Sequence, residues 1–347
     1  MSRAPTRAAT GTPGMISRAD AMAAEGHVLE AAEMLQAANA VSDGPALQRR
    51  VAELRYLGFD ALDRAPGFDR WPAPCLEPLD EGPARIPEIS RAELDAETLR
   101  RSILSHGSLL VRGLFDDDQV AACVSGIDRA FEVRDEGPGA EARRSTSWFT
   151  GLRLPPDEAQ TLGRHWVSAA GGMLTCDSPK MLCHLLDTYG DIGLREVVGG
   201  YLGERPVLSA NKWTLRRVPL TASTDWHQDG AFLGDRIRAL NVWIGLSDCG
   251  VDSPGMDLLP RRLDHVVETG TGGAIFDWAV GPTVVEQLAV DAPVVRPVFK
   301  AGDALLFDDL FLHRTAIEPT MTRPRYAIEA WFFAPSVYPS GQVPIVW

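Results

Sequence analysis

The sequence predicts a mixed α+β protein in which a helical front half supports an antiparallel β-sandwich or barrel in the back half. Three observations carry that prediction. Apolar residues recur at helical spacing in the first half of the chain, up to about residue 200. Short β-rich runs separated by Gly, Pro or Asp turns follow Gly203. The chain has 347 residues, 45% of them apolar and 23% charged, which is enough apolar material for a substantial buried core.

Taken in order, residues 1–18 carry Arg3, Arg7 and Arg18 with no acid and no apolar centre, and read as a disordered tail. Residues 19–63 read as a helical hairpin. Val28, Ala31, Ala32, Leu35 and Ala38 line one face of a helix running from about Ala19 to Val41. Asp43-Gly44-Pro45 breaks it, and Leu47, Val51, Leu54 and Leu57 line a second helix opened by Pro45. Such a hairpin buries little alone, so it is expected to pack on the main domain or on a second copy of itself, forming a homodimer. Residues 64–90, broken by Pro66, Pro72, Pro74, Pro78, Pro83 and Pro87, read as an extended linker or wrapping segment.

The main domain is expected over 91–347. Ala92–His106 reads as a helix and Ser108–Arg112 as a short buried strand. A helix over Phe115–Phe131 opens with Asp116, Asp117 and Asp118, carboxylates that favour the positive end of the helix dipole. Residues 135–147 read as a polar loop and 157–200 as mostly helical. Strands are expected at Pro206–Val218, Leu240–Leu246, Val294–Lys300, Ala304–Phe311 and Arg325–Phe333.

Charge and cysteine usage narrow the function classes. Lys and Arg number 34 against 47 Asp and Glu, a formal charge of −13 that phosphate backbones and anionic membranes repel. Nucleic acid and membrane are therefore excluded as expected partners, and no apolar run reaches the roughly 18 residues of a membrane span. The five cysteines are odd in number and lack C-x-x-C spacing, which fits reduced thiols and a cytoplasmic protein. Arg216, Arg217, Arg236, Arg238, Arg261 and Arg262 flank the candidate site. They read as charges paired with the excess acids in preference to a mouth for an anionic substrate.

The chemistry is carried by His227-Gln228-Asp229. In a strand, residues two apart share a face, so His227 and Asp229 would offer an imidazole and a carboxylate to one point. His313, in Phe311-Leu312-His313-Arg314-Thr315, supplies a third ligand from near the end of another apolar strand. Two imidazoles and one carboxylate make a facial triad that leaves three metal positions open, suited to iron(II), a bidentate co-substrate and dioxygen. Arg325 begins a strand expected beside the one bearing His313. Its guanidinium would clamp a carboxylate with two parallel hydrogen bonds, and Thr315 would add a third.

Together with Leu240-Asn241-Val242-Trp243-Ile244-Gly245-Leu246, Ala301-Gly302-Asp303-Ala304-Leu305-Leu306-Phe307 and Arg325-Tyr326-Ala327-Ile328, these strings resemble the phytanoyl-CoA dioxygenase family of iron(II)/2-oxoglutarate oxygenases over roughly residues 100–335. The resemblance implies a double-stranded β-helix, or jelly-roll (cupin-like), core with flanking helices. It implies iron held by His227, Asp229 and His313, and the 5-carboxylate of 2-oxoglutarate held by Thr315 and Arg325. Gln228 and Trp243 match positions lining the same pocket. The implied reaction uses 2-oxoglutarate and O2 to hydroxylate a small organic metabolite (lipid-like, acyl conjugate or natural product), releasing succinate and CO2. Halogenating relatives carry Gly or Ala in place of the carboxylate, so Asp229 favours hydroxylation.

Two departures accompany the resemblance. The family's Pro-Gly-Ser-His turn is replaced by Leu259-Pro260-Arg261-Arg262-Leu263-Asp264-His265, and Arg323 competes with Arg325 for the clamp. Two other classes use the same barrel: a metal-dependent hydrolase or isomerase, which leaves Arg325 and Thr315 unexplained, and a non-catalytic binding protein.

Overall fold

The computed structural model describes residues 11–64, 71–74, 77, 85–137, 146–221, 225–234 and 236–347. Three helices, not two, open it: α1 (Thr12–Ala24), α2 (Val28–Ser42) and α3 (Pro45–Leu57). The expected single helix from Ala19 is split because Gly26 turns the chain at φ 94°. Thr12 to Arg18, expected within a tail, form the start of α1, with Pro13 in its first turn. The rest of that expected tail, residues 1–10, lies outside the described residues.

These helices bury Leu35, Leu47, Val51 and Leu54 completely, each worth about 1.5–3 kcal/mol by its removal from water. The surface they cover belongs to this same chain. Gln36 donates to the Cys183 carbonyl at 3.0 Å and to Asp187 at 2.7 Å, both on the helix Pro179–Asp191. Buried Arg55 donates to the Val346 carbonyl at 2.9 Å, joining α3 to the last strand. Downstream, α4 (Ala96–His106) and α5 (Asp117–Asp135) lie close to the expected positions, and Asp116 caps α5 by accepting from the Gln119 N–H.

Part of the expected linker is a strand. Glu88–Ser90 (β1) pairs in parallel with Ser108–Arg112 (β2). The linker residues Pro66, Pro78 and Pro83, and residues 138–145 of the expected polar loop, lie outside the described residues. The other strands are β3 (Gly172–Leu174), β4 (Val207–Val218), β5 (Ala239–Gly245), β6 (Gly255–Leu258), β7 (Ala304–Phe307), β8 (His313–Ala316), β9 (Arg325–Phe333) and β10 (Pro344–Val346). The large sheet runs β1-β2-β7-β5-β9-β4-β10, with β3 on β4, and the small sheet is β6-β8. Two sheets facing one another, antiparallel but for the β1–β2 pair, with helices on the outside of the larger, make the jelly-roll.

Two expected strands differ. Over Val294–Lys300 only isolated bridges form, Leu258 with Val295 and Cys249 with Phe299, because Pro297 between them has no N–H to continue a ladder. The run expected to reach Phe311 stops at Phe307, where Asp308 and Asp309 begin a turn.

Strand parity determines which residues meet the site. Along β5, Leu240, Val242 and Ile244 join the core beneath the helices, while Ala239 and Trp243 join the cluster between the sheets. Along β9, Ile328, Ala330 and Phe332 take the helical side, and Ala327, Trp331 and Phe333 the inter-sheet side. Arg325 and Glu329 share the second parity and so enter the space between the sheets.

The turn before β7 is held by Asp303, which is 3% exposed and accepts from Arg112 at 2.6 Å, the Gly113 N–H at 2.9 Å and the Lys300 N–H at 2.8 Å. Gly302 beside it has φ 93°, and a Cβ there would sit 2.3 Å from the Phe115 carbonyl oxygen. Asp303→Ala removes the shared acceptor of three donors, while Arg112 keeps Glu88 and the Val298 carbonyl, and should cost about 1–3 kcal/mol, read as a fall in the urea midpoint. An unchanged midpoint would remove Asp303 from the account of this turn.

Cys123, Cys176, Cys183 and Cys249 are buried free thiols, and Cys75 lies outside the described residues. Among the described residues no helix is long and apolar enough to cross a membrane.

Candidate active site

His227 and His313 face each other across a single antiparallel bridge, each N–H donating to the other's carbonyl at 3.0 and 3.1 Å. Their ring centroids are 4.4 Å apart. His313 opens β8 instead of closing a longer apolar strand. Asp229 is not on a strand: its backbone is helical (φ −62°, ψ −26°), and it caps the short helix Gly230–Leu233. The Phe232 and Leu233 N–H groups bond back to the Asp229 carbonyl at 3.1 Å, and the Gly230 N–H is taken by the Asp309 carbonyl at 2.8 Å. Strand alternation therefore does not bring His227 and Asp229 together; a strand-to-helix turn does, with the same outcome for the side chains.

Hydrogen bonds orient all three side chains. His227 Nδ1 lies 2.8 Å from the Asp225 carbonyl and His313 Nδ1 lies 3.0 Å from the Phe311 carbonyl. A carbonyl only accepts, so each Nδ1 carries the proton and each Nε2 presents its lone pair. Burial, assisted by the neighbouring His313, pushes the His227 imidazole down to about 4, which keeps it neutral at physiological pH. Burial alone would raise Asp229. Lys212 and the two imidazoles outweigh it and hold the carboxyl below the usual range.

Lys212 donates to Asp229 Oδ1 at 3.1 Å, while Oδ2 is buried with no hydrogen-bond partner. That orphaned oxygen lies 3.8 Å from His313 Nε2, and one ligand atom from each of the three residues falls within 4.8 Å of the others. Two imidazole Nε2 atoms and an unpartnered carboxylate oxygen fit a divalent cation.

A cavity of about 60 Å³ adjoins the triad between the sheets, lined among others by His227, His313, Thr315, Trp243, Asn241 and Arg325. Arg325 was expected beside the strand of His313; it lies instead in the opposite sheet, because β9 pairs with β4 and β5 while β8 pairs with β6. Its guanidinium thus reaches the cavity from across the core. It is 2% exposed, donates to the Gly255 carbonyl at 2.8 Å, and lies 5.3 Å from the Trp243 ring centroid. No carboxylate pairs with it among the described residues, its Nε has no partner, and burial pushes it down to about 10. A buried guanidinium without a counter-ion is costly and fits an anionic ligand. Arg323, the competing residue, is 63% exposed and pairs with Asp252 outside the cavity.

Gln228 is not brought to the cavity. Fully buried, it donates to the His265 and Leu310 carbonyls at 3.1 and 2.6 Å and accepts from the Val267 N–H at 2.8 Å. Sitting between the two ligands, it points the opposite way and anchors a loop. Of the flanking arginines, Arg216, Arg217, Arg238 and Arg262 pair with Glu329, Asp128, Glu204 and Asp308. Lys212, Asn241 and Glu329 were not singled out from the sequence. Asn241 and Glu329 share strand parity with Trp243 and Arg325, which would have placed them; Lys212 carries no such signal.

A family model described as Phytanoyl-CoA dioxygenase (PhyH) matches residues 103–317, ending before Arg325. No curated protein matches significantly. Among solved structures, EctD from S. alaskensis with 2-oxoglutarate and 5-hydroxyectoine is 18% identical, covering 80% of this chain and 88% of its own, at a TM-score of 0.48. AviO1 from Streptomyces viridochromogenes Tue57 is 19% identical over 72% of this chain and 99% of its own, with a TM-score of 0.44. SnoK, a non-heme alpha ketoglutarate dependent carbocyclase from nogalamycin biosynthesis, is 15% identical over 71% of this chain and 86% of its own, at 0.42. Because the family match takes in more than half of the sequence and all three triad residues, the chain belongs to the phytanoyl-CoA dioxygenase family of non-haem iron oxygenases.

Proposed function

We propose that the protein is an iron(II)/2-oxoglutarate-dependent dioxygenase that hydroxylates a small organic molecule, with His227, Asp229 and His313 as the metal ligands. The observation that carries this is Arg325, a buried guanidinium with no carboxylate partner among the described residues, in the cavity that the two histidines also line. A hydrolase or isomerase needs no such group. A dicarboxylic 2-oxo acid needs it at one end and the metal at the other, with Thr315 as a further donor. When bound, iron would supply dioxygen activation coupled to oxidation of 2-oxoglutarate to succinate and CO2.

The chain's own residues prepare that chemistry. The Asp225 and Phe311 carbonyls fix the imidazole tautomers. Lys212 occupies Asp229 Oδ1 and leaves Oδ2 as a single ligand atom. Trp243 covers the guanidinium and keeps water from it, and Glu329 holds Arg216 at 2.9 Å, so that Arg216 does not compete with Arg325 for the co-substrate. Retention of Asp229 supports hydroxylation over halogenation, and the buried free thiols support a cytoplasmic setting.

The test is to add iron(II) and 2-oxoglutarate to the protein under nitrogen and record the visible spectrum. A weak metal-to-ligand band that needs both additions is the expected result. A colourless sample with no bound 2-oxoglutarate would overturn the reading.

A further inference from the structure

We propose that Phe232, Phe276 and Trp278 form an aromatic wall beside His227 that receives a flat, uncharged, apolar ring system of the substrate. The inference rests on the oxygenase reading above and names the class of molecule that site accepts. The Trp278 and Phe232 rings lie 5.9 and 6.1 Å from the His227 ring and 6.0 Å from each other. Phe276 stacks on Trp278 at 5.2 Å with only 5° between the planes. These side chains are 42% (Phe232), 52% (Phe276) and 37% (Trp278) exposed, and Ile275 beside them is 76% exposed. Singly exposed apolar residues are ordinary; several contiguous ones that end on a metal ligand mark a binding surface.

None of the three aromatics lines the cavity that holds Arg325 and Thr315. His227 thus stands between a polar compartment on one side and an aromatic one on the other. Co-substrate and substrate need this separation if both are to reach the same metal.

The wall is held in place before any ligand arrives. Trp278 sits in a loop closed by the Gly270 N–H donating to the Ala279 carbonyl at 2.9 Å and pinned by the Val280 N–H donating to the Trp226 carbonyl at 2.8 Å. Gln228 adds a third tie through the Val267 N–H. Gly281 permits the close approach, since a Cβ there would lie 2.0 Å from the Thr271 carbonyl oxygen. The residues on either side of His227, Trp226 and Gln228, therefore hold the loop that carries Trp278. A preorganised aromatic surface loses little entropy on binding.

The ring class follows from charge and surface chemistry. The Lys212 ammonium, 4.6 Å from the Phe232 centroid, is already paired with Asp229 Oδ1, so the wall offers no unpaired charge to a substrate. Ile275, Phe276 and Trp278 are exposed apolar side chains, and the near-parallel stack of Phe276 on Trp278 continues most readily as offset stacking with a planar ring.

The probe for the test is 2-naphthol, with decahydro-2-naphthol as its puckered counterpart. Both are titrated by calorimetry into protein loaded with iron(II) and 2-oxoglutarate under nitrogen. The flat probe should bind more tightly than the puckered one. Trp278→Ala and Phe276→Ala should each weaken 2-naphthol by roughly two- to tenfold, while Trp278→Tyr retains most of the affinity. Equal affinity for the two probes, or 2-naphthol binding unaffected by both alanine variants, would overturn the wall. The visible band recorded on the same samples separates the two readings. An intact band with variant-insensitive naphthol binding removes the wall alone. An absent band with variant-sensitive binding removes the oxygenase reading and leaves the wall supported.

Discussion

Asp229→Ala is expected to abolish 2-oxoglutarate turnover and to weaken iron(II) binding by more than about 100-fold. Loss of a supporting residue around a metal ligand already costs about 10–100-fold, and this change removes the ligand itself. The substitution deletes Asp229 Oδ2, a buried carboxylate oxygen that lies 3.8 Å from His313 Nε2 without a hydrogen-bond partner. It also leaves Lys212 without its acceptor, placing an uncompensated ammonium beside the metal position. Asp229→Asn separates the two effects: the amide oxygen still accepts from Lys212, but the negative charge is gone, so an intermediate loss is expected. Iron(II) affinity measured by competition with a chelator, alongside succinate formation, reads both variants. Undiminished turnover in Asp229→Ala would remove the residue from the metal site and the proposed function with it.

Arg325→Ala is expected to raise the KM for 2-oxoglutarate by about 30-fold to several-thousand-fold, the range set by about 2–5 kcal/mol for losing one partner of a buried charged pair. Arg325→Lys should recover only part, because an ammonium keeps the charge and loses the two-pronged fork. The stability of the ligand-free protein should move far less. Removing the guanidinium relieves the cost of burying an unpaired charge, while the Pro254 and Gly255 carbonyls lose their donor. The two effects oppose one another. The signature is therefore a melting temperature little changed without ligand, together with loss of the stabilisation that 2-oxoglutarate gives the wild type. Arg323→Ala is the control, since an exposed pair with Asp252 contributes no more than about 1 kcal/mol and does not reach the cavity. A KM rise in the Arg323 variant with none in the Arg325 variant would exchange their roles.

Much of this site is legible in the sequence. Residue type and a β-rich setting single out His227, Asp229 and His313, and the fold brings one ligand atom of each within 4.8 Å of the others. Arg325 is preferred to Arg323 because the alternation after it fits the corresponding strand of the family that the sequence resembles. Strand alternation does not account for the meeting of His227 and Asp229, since a helical turn at Asp229 replaces the expected strand. Gln228 was misplaced because proximity in sequence to two ligands says nothing about direction: its neighbours point into the site, and it points away to hold the loop. Lys212 was missed because one lysine on a long strand carries no local signal, and its partner is 17 residues distant.

The sequence by itself determined the elements whose physics is local. Helices α4 and α5 and strands β4, β5 and β9 follow from apolar periodicity and from the turns that bound them, and the ligand chemistry follows from residue type. Tertiary structure alone decided what depends on how the sheets close on one another. It set Arg325 in the sheet opposite His313, folded the N-terminal helices onto this chain's own core, and joined Phe232 to Trp278 across more than forty residues of sequence. The physical reason is that strand parity sorts residues between two faces, and only long-range pairing determines which face of which sheet encloses the candidate site.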